Sequence, residues 1–181
     1  MTAKRLFCAA VATSALASGG CDRGGGATKE TVAPQAAVPA RIESQHSSAG
    51  EQVTATLTLK PWNSKPGDSI QLKLLLEVKP GRDIGTLDSV PESSATRLTL
   101  QLPAELEAQG KWQAPVAGRS LLSDGHAAYS GQVEFTRTLV VKRDAAMGDY
   151  QVQCRVDYQV CDDRQCVRPA PIDLVVNVKI E

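Results

Sequence analysis

Residues 150–160 read YQVQCRVDYQV, and this stretch decides the fold. Apolar or aromatic residues occupy every second position: Tyr150, Val152, Cys154, Val156, Tyr158 and Val160. Such alternation is typical of a β-strand with one buried face, because successive side chains point to opposite sides of a strand. The stretch therefore predicts a half-buried strand.

The same period recurs elsewhere in the chain. Apolar residues also alternate over residues 53–59, 70–78, 98–102, 129–141 and 172–180. Turn signals such as Pro66-Gly67-Asp68 and Pro80-Gly81 separate these segments, and we expect a loop from residue 103 to about residue 128. No segment has a convincing helical period. Short strands separated by turns predict an all-β, immunoglobulin-like antiparallel β-sandwich over residues 51–181.

The composition restricts the partners and the core. Lys and Arg together number 20, as do Asp and Glu, so the formal net charge is zero. Binding nucleic acid through its phosphates requires a basic surface, so we expect no nucleic-acid partner. Hydrophobic residues make up 42% of the chain but aromatic residues only 4%. We therefore expect a core of Val, Leu and Ile, which suit a pleated, half-buried surface.

The N-terminus has the pattern of an export signal. Lys4 and Arg5 precede an apolar run over residues 6–17, which is too short to span a bilayer. Small residues and then Cys21 follow, an arrangement that resembles the lipobox of bacterial lipoproteins. We expect a signal peptide at residues 1–20 and lipidation of Cys21. The alternative is ordinary cleavage after Ala17, which leaves Cys21 as a free thiol. Both place the domain outside the cytosol, where disulfides persist.

Residues 21–50 are rich in Gly, Ala, Pro, Ser and Thr and have no periodicity. This composition predicts a flexible tether that follows the lipidation site. No other apolar stretch approaches the length of a membrane span. We therefore expect membrane contact through the N-terminal lipid only.

The chain has five cysteines, of which three lie in the predicted domain. Cys8 falls in the signal peptide. Cys161 and Cys166 flank a four-residue hairpin loop, where facing Cα atoms lie about 4.5–5.5 Å apart, within reach of a disulfide. Cys154 is seven residues from Cys161 on an alternating strand, so its side chain should point to the opposite face, into the core. We expect Cys161 and Cys166 to pair and Cys154 to be a buried, inert thiol.

This disulfide has a structural and a reactive interpretation. A bridge that closes about six residues stabilises a fold by only about 2 kcal/mol in the chain-entropy account. This small structural contribution favours the reactive interpretation. However, Asp162 and Asp163 follow Cys161, and negative charge disfavours a thiolate. Arg155, Arg164 and Arg168 are the cations nearby in sequence that could offset it.

Residues 158–169 resemble the active-site hairpin of the N-terminal domain of the thiol:disulfide interchange protein DsbD family. The resemblance is carried by Tyr158, Gln159, Cys161, the acidic loop with Asp162 and Asp163, Cys166 and Pro169. In outline it extends over residues 51–181. It implies a periplasmic electron relay in which Cys161 and Cys166 are catalytic, with Tyr158, Gln159, Asp162, Asp163 and Pro169 framing them. It further implies that Cys166 attacks and Cys161 resolves.

Two departures from that family affect the expected partners. The sequence contains no multi-pass membrane portion and no thioredoxin-like Cys-x-x-Cys module, so we expect a thioredoxin-like electron donor on a separate chain. The acceptors would be oxidised periplasmic thiol proteins. In addition, residues 80–85 contain no aromatic residue to cap the disulfide.

Two other functions remain open from the sequence. One is a non-catalytic, immunoglobulin-like binding or assembly lipoprotein with a structural disulfide. The other is a lipoprotein metal chaperone, although His46 and His126 are the only histidines and no Cys-x-x-Cys occurs. We expect no metal site and no cofactor.

Overall fold

The computed structural model describes residues 44–49, 52–120 and 126–181. The predicted signal peptide and Cys21 lie outside these residues. The described part consists of β-strands and one short 3-10 helix, Glu92–Ser94. No helix in this part has the length and apolar character needed to cross a membrane.

In chain order the strands are β1 (Ser44–Ala49), β2 (Val53–Lys60), β3 (Asn63–Ser64), β4 (Ser69–Val78), β5 (Asp83–Gly85), β6 (Arg97–Gln101), β7 (Leu106–Gln113), β8 (Gly118–Arg119), β9 (Ala127–Tyr129), β10 (Gln132–Val141), β11 (Gly148–Asp157), β12 (Val160–Cys161), β13 (Cys166–Val167) and β14 (Ile172–Ile180). They form three sheets. The first has the order β1-β2-β4-β10-β7, the second β3-β14-β11-β6 and the third β13-β12-β5-β9-β8. All described pairings are antiparallel except that of β3 with β14.

The first and second sheets contribute their apolar faces to one hydrophobic core. Burial alternates along β2, β4, β11 and β14, as the sequence period predicts. Leu72, Phe135, Val156 and Leu174 are completely buried. The sequence prediction of an all-β, immunoglobulin-like sandwich is therefore confirmed. Aliphatic residues form most of the core, because the chain has few aromatic side chains to place there.

The third sheet closes one end of this core with one of its faces. Ile84, Tyr129 and Val160 point inward from adjacent strands and join the core cluster. The ring of Tyr129 packs edge-on against Phe135, with centroids 5.5 Å apart. Because strand side chains alternate, the neighbours of these residues point to the outer face of the same sheet. That outer face carries both cysteines of the hairpin.

Three predicted boundaries differ from the structure. Strand β1 lies within residues 21–50, which were predicted to be tether, and pairs with β2 along its whole length. Its sequence, SQHSSA, has no apolar period. The strand was therefore not predicted, because a strand can join a sheet edge through backbone hydrogen bonds alone. The predicted strand over residues 129–141 is two strands in different sheets, separated at Gly131, whose φ of 65° makes a turn. The predicted loop over residues 103–128 contains β7 and β8.

Candidate functional site

The disulfide joins the two strands of the predicted hairpin. Cys161 and Cys166 face each other in the register of β12 and β13, and their Cα atoms lie 4.0 Å apart. The backbone N–H of Asp162 donates to the carbonyl of Gln165 at 3.0 Å, which makes these two residues the hydrogen-bonded pair at the loop. The cysteines form the next pair, a non-hydrogen-bonded one, where side chains approach each other most closely. The predicted pairing is thus present, with the Cα atoms slightly closer than expected.

Asp162 organises the hairpin loop. Its carboxylate accepts hydrogen bonds from the backbone N–H groups of Arg164 and Gln165, both at 2.8 Å, and forms an ion pair with Arg82. These backbone hydrogen bonds are the main reason that the pKa of Asp162 is lowered, and the charge of Arg82 adds to the effect. The negative charge of Asp162, beside Cys161, is therefore already stabilised by Arg82 and by two backbone N–H groups.

Arg82, the cation that pairs with Asp162, is not one of the three arginines expected from the sequence. Arg155 pairs instead with Asp157 and Asp173 on the second sheet. Arg168 donates to the backbone carbonyl of Ser93. Arg82, distant in sequence, takes the role because β5 pairs with β12 and carries it to the hairpin.

The two sulfur-bearing residues differ in exposure. Cys166 is exposed, whereas Cys161 is half-buried between β5 and β13. Cys154, in contrast, is buried in the core on β11, and desolvation raises the pKa of its thiol to about 12, with a smaller effect from Asp173. The prediction that Cys154 is buried and separate from the other two is confirmed.

A cleft of about 500 Å³ opens beside the disulfide. Its floor is the outer face of the third sheet, which presents Asp83, Gly85, Ala128 and Gln159 next to the cysteines. Residues 86–94 form a wall of the cleft, and residues 126 and 127 form part of its rim. The cleft is therefore a depression whose floor includes the disulfide.

Hydrogen bonds from Thr96, just after the wall, join this segment to β5 and to the first residue of the wall. Thr96 donates from its hydroxyl to the carbonyl of Gly85 at 2.6 Å and from its N–H to the carbonyl of Thr86 at 3.0 Å. The wall passes so close to β5 that a Cβ atom at Gly85 would clash with the carbonyl of Ser94. This wall carries Val90, which is 84% exposed, and no aromatic residue.

The predicted framing residues occupy different environments. Tyr158 is buried in the core, whereas Gln159 lines the cleft. Asp162 caps the loop, Asp163 is exposed on it, and Pro169 is half-buried beyond β13. The structure thus brings Gln159 and Asp162 to the disulfide but places Tyr158 behind the sheet.

Asp83 was not predicted as a site residue from the sequence. This residue is 4% exposed, faces Cys161 directly in the register of β5 and β12, and accepts a hydrogen bond from the hydroxyl of Ser120. No local pattern predicted its burial, because aspartate side chains are rarely buried. Its pairing with β12 is not encoded locally either.

A metal site would need several His, Cys, Asp or Glu side chains close together. Within residues 44–49, 52–120 and 126–181, no group of three His, Cys, Asp or Glu side chains is placed to hold a metal ion. His126 lines the rim of the cleft. His46 lies on β1.

Comparison with known proteins identifies a similar fold. No known protein family and no curated protein matches the sequence. Among solved structures, the chain is similar to the N-terminal periplasmic domain of ScsB from Proteus mirabilis, with a TM-score of 0.51 and 12% sequence identity. The alignment covers 77% of this chain and 51% of that one, so the chain spans about half the length of that structure. The GAE domain of GGA2p from Saccharomyces cerevisiae aligns with a TM-score of 0.42 and 12% identity, over 72% of this chain and 96% of that one. The likeness to the ScsB domain concerns the β-sandwich fold alone.

Proposed function

We propose that this protein exchanges thiols and disulfides through Cys161 and Cys166, as an electron-relay domain. The observation that carries the proposal is the position of the disulfide. It lies on the outer face of the third sheet, outside the core, with Cys166 exposed and a cleft beside it. An incoming thiolate must reach one of the two sulfurs along the S–S axis. Cys166 is the more exposed of the two cysteines, which favours attack there.

A purely structural role explains the disulfide less well. The two cysteines are already neighbours in the ladder between β12 and β13, and the loop between them is held by Asp162. A bridge that closes such a short loop adds only about 2 kcal/mol in the chain-entropy account. The core cluster includes neither cysteine.

The exchange reaction takes place in two steps. In the reduced protein, the Cys166 thiolate attacks a disulfide of the acceptor, forms a mixed disulfide and releases one acceptor thiolate. Cys161 then attacks the sulfur of Cys166, which releases the second acceptor thiolate and restores the Cys161–Cys166 disulfide. Two electrons pass to the acceptor. A donor dithiol returns them by the same steps in reverse, so no cofactor is needed.

The proposed partners follow from the family resemblance. A thioredoxin-like domain on a separate chain would donate the electrons, and oxidised periplasmic thiol proteins would accept them. The likeness to a periplasmic domain supports an exported location for this chain. We further propose a signal peptide over residues 1–20 and anchoring through a lipid on Cys21.

The reduction potential tests the proposal. Equilibration with defined thiol–disulfide buffers, followed by alkylation and mass spectrometry of the peptide that contains Cys166, measures this potential. Structural disulfides typically have reduction potentials below about −300 mV and resist reduction. An exchange site should have a potential well above this value. A potential far below this value would favour the non-catalytic binding or assembly module.

Single-cysteine variants test the exchange directly. Cys161→Ala leaves the exposed Cys166 and should trap partners as mixed disulfides in periplasmic extracts. Cys166→Ala leaves the half-buried Cys161 and should trap fewer. The variant that lacks both residues is the control for reaction at the remaining cysteines. Equal trapping by all three variants would contradict the proposal.

A further inference from the structure

The side chain of Asp83 is buried and lies on the same sheet face as that of Cys161. The two residues face each other in the antiparallel register of β5 and β12. Residues opposite each other on such strands have their side chains on the same face, with Cβ atoms about 4.5–5.5 Å apart. Both residues line the same cleft, in agreement with this placement.

Asp83 has no cation to compensate its charge among the described residues. No ion pair with it is present, although it is 4% exposed. The hydroxyl of Ser120 donates one hydrogen bond to its Oδ2. An ionised carboxylate can accept about four hydrogen bonds, so Asp83 retains capacity toward a thiol beside it.

Burial of an uncompensated carboxylate is unfavourable, so the position calls for a chemical explanation. The neighbouring acid Asp162 offers a contrast, since Arg82 and two backbone N–H groups stabilise it on the loop. The other titratable side chains that line the cleft are Asp88 on the wall and His126 on the rim. Asp88 is exposed and accepts a hydrogen bond from Thr86.

We propose that Asp83 is the proton acceptor and donor for Cys161 during thiol–disulfide exchange. This inference rests on the proposed function and adds to it the group that handles the proton of the resolving cysteine. Cys166 is exposed and can exchange its proton with water, whereas Cys161 is half-buried against β5. Asp83 is the carboxylate that shares a strand register with it.

The proton transfer completes the second step of the exchange. As Cys161 attacks the sulfur of Cys166 in the mixed disulfide, its S–H proton passes to the Asp83 carboxylate, and the S–S bond to the acceptor breaks. The acceptor sulfur leaves as a thiolate with the electron pair of that bond. When a donor reduces the domain, the Cys161 sulfur leaves as a thiolate, and protonated Asp83 returns the proton to it.

Oxidised glutathione serves as the probe. The reduced full-length protein is mixed with it and quenched with acid, and mass spectrometry follows glutathione bound to the peptide that contains Cys166. Formation of this adduct reports the attack by Cys166, and its decay reports resolution by Cys161. Asp83→Asn keeps a hydrogen-bond acceptor for Ser120, so the fold should persist, which a thermal melt verifies.

In Asp83→Asn, the decay of the adduct should slow by about tenfold or more at pH 7, because a general base has been lost. Its formation should be unchanged. The decay rate of the variant should also rise with pH in proportion to the thiolate fraction, and more steeply than in the wild type. Asp83→Glu should restore part of the rate, and Asp88→Asn should have a much smaller effect. The profiles are measured with His126→Gln in both backgrounds, so that the imidazole that lines the cleft cannot act as an alternative base.

An unchanged decay rate in Asp83→Asn would overturn the inference. A faster decay would also overturn it, because Asp83 would then act only as a negative charge that raises the pKa of the Cys161 thiol. Failure of the proposed function has a different signature. In that case the wild-type protein itself would form no adduct at Cys166, or would form one that never resolves.

Discussion

At the scale of single residues, the cysteines of the described domain differ in the surroundings of each sulfur. Cys166 is exposed on an edge strand, Cys161 is half-buried beside Asp83, and Cys154 is enclosed by the core. A thiolate rather than a thiol is the nucleophile in exchange reactions. The fold thus buries the thiol of Cys154 and leaves the hairpin pair as the more accessible sulfurs among the described residues.

The thiol of Cys154 should therefore resist alkylation in the native protein. With a pKa raised to about 12 by burial, it is almost fully protonated at pH 8. We expect iodoacetamide at pH 8 to modify Cys154 only after denaturant is added, as measured by peptide mass spectrometry. Cys166 in the reduced native protein is the internal control, since it should react without denaturant. Rapid labelling of Cys154 in the native protein would contradict the burial of this side chain on β11.

Asp162 provides a prediction for pH dependence. Its pKa is lowered in the folded state by the backbone hydrogen bonds from Gln165 and Arg164. Its contribution to hairpin stability is therefore present above the unfolded value of about 3.9 and is lost as the pH falls through the lower folded value. The amide NMR shifts of Arg164 and Gln165 should titrate with a midpoint below about 3.9. Asp162→Ala should abolish this titration, and a midpoint at or above the ordinary value would contradict the assignment.

At the scale of elements, the cleft depends on how the wall over residues 86–94 meets β5. Thr96, just after the wall, is hydrogen-bonded to Gly85 of β5 and to Thr86 at the start of the wall. Arg168 joins the wall to the segment after the hairpin. These contacts connect the third sheet to the loop that borders the disulfide. The wall and the hairpin therefore form one local unit.

Gly85→Ala should disturb this unit. The added Cβ would clash with the backbone carbonyl of Ser94, which cannot move without shifting the wall. We expect a loss of about 1–3 kcal/mol in the free energy of unfolding, typical of overpacking, measured by urea denaturation. The disulfide should also become more accessible to dithiothreitol, with faster reduction.

Gly118→Ala is the matched control in the same sheet. A Cβ at Gly118 would lie 4.0 Å from the carbonyl of Ala128, an ordinary van der Waals contact. This variant should be close to the wild type in both stability and reduction rate. Equal effects of the two substitutions would mean that the contact with Ser94 does not hold the wall.

At the scale of the whole molecule, the core and the candidate site occupy opposite faces of the third sheet. Ile84, Tyr129 and Val160 seal the core, and Asp83, Cys161 and Cys166 line the outer face. The core therefore does not depend on the disulfide. We therefore expect the bridge to open and close without unfolding the sandwich.

Removal of both cysteines tests that separation. Cys161→Ala together with Cys166→Ala should reduce the free energy of unfolding by about 2 kcal/mol at most and leave the fold intact. By comparison, Phe135→Ala removes a completely buried core side chain and should cost about 3–5 kcal/mol. Urea denaturation and circular dichroism measure both. If the double variant is unfolded, the disulfide is a structural staple and the binding or assembly module is favoured.

Much of the fold was predictable from local patterns. The period of two along β2, β4, β11 and β14 predicts that these segments are strands. It also predicts their buried faces, because a one-residue shift would expose every apolar side chain. Strand β1 was missed, because its pairing with β2 uses backbone groups and leaves no apolar period. The division of residues 129–141 into two strands was missed as well, although Gly131 marks the turn.

The sequence by itself determined the β-sandwich, the separation of Cys154 from the hairpin cysteines, and the pairing of Cys161 with Cys166. These features depend on residues close together in the chain, where alternation and loop length leave few alternatives. Only the tertiary structure placed Asp83 opposite Cys161, Arg82 beside Asp162, and the wall against Gly85. Such contacts join segments far apart in sequence through strand pairing, and the order of strands in a sheet is decided by the packing of the whole core.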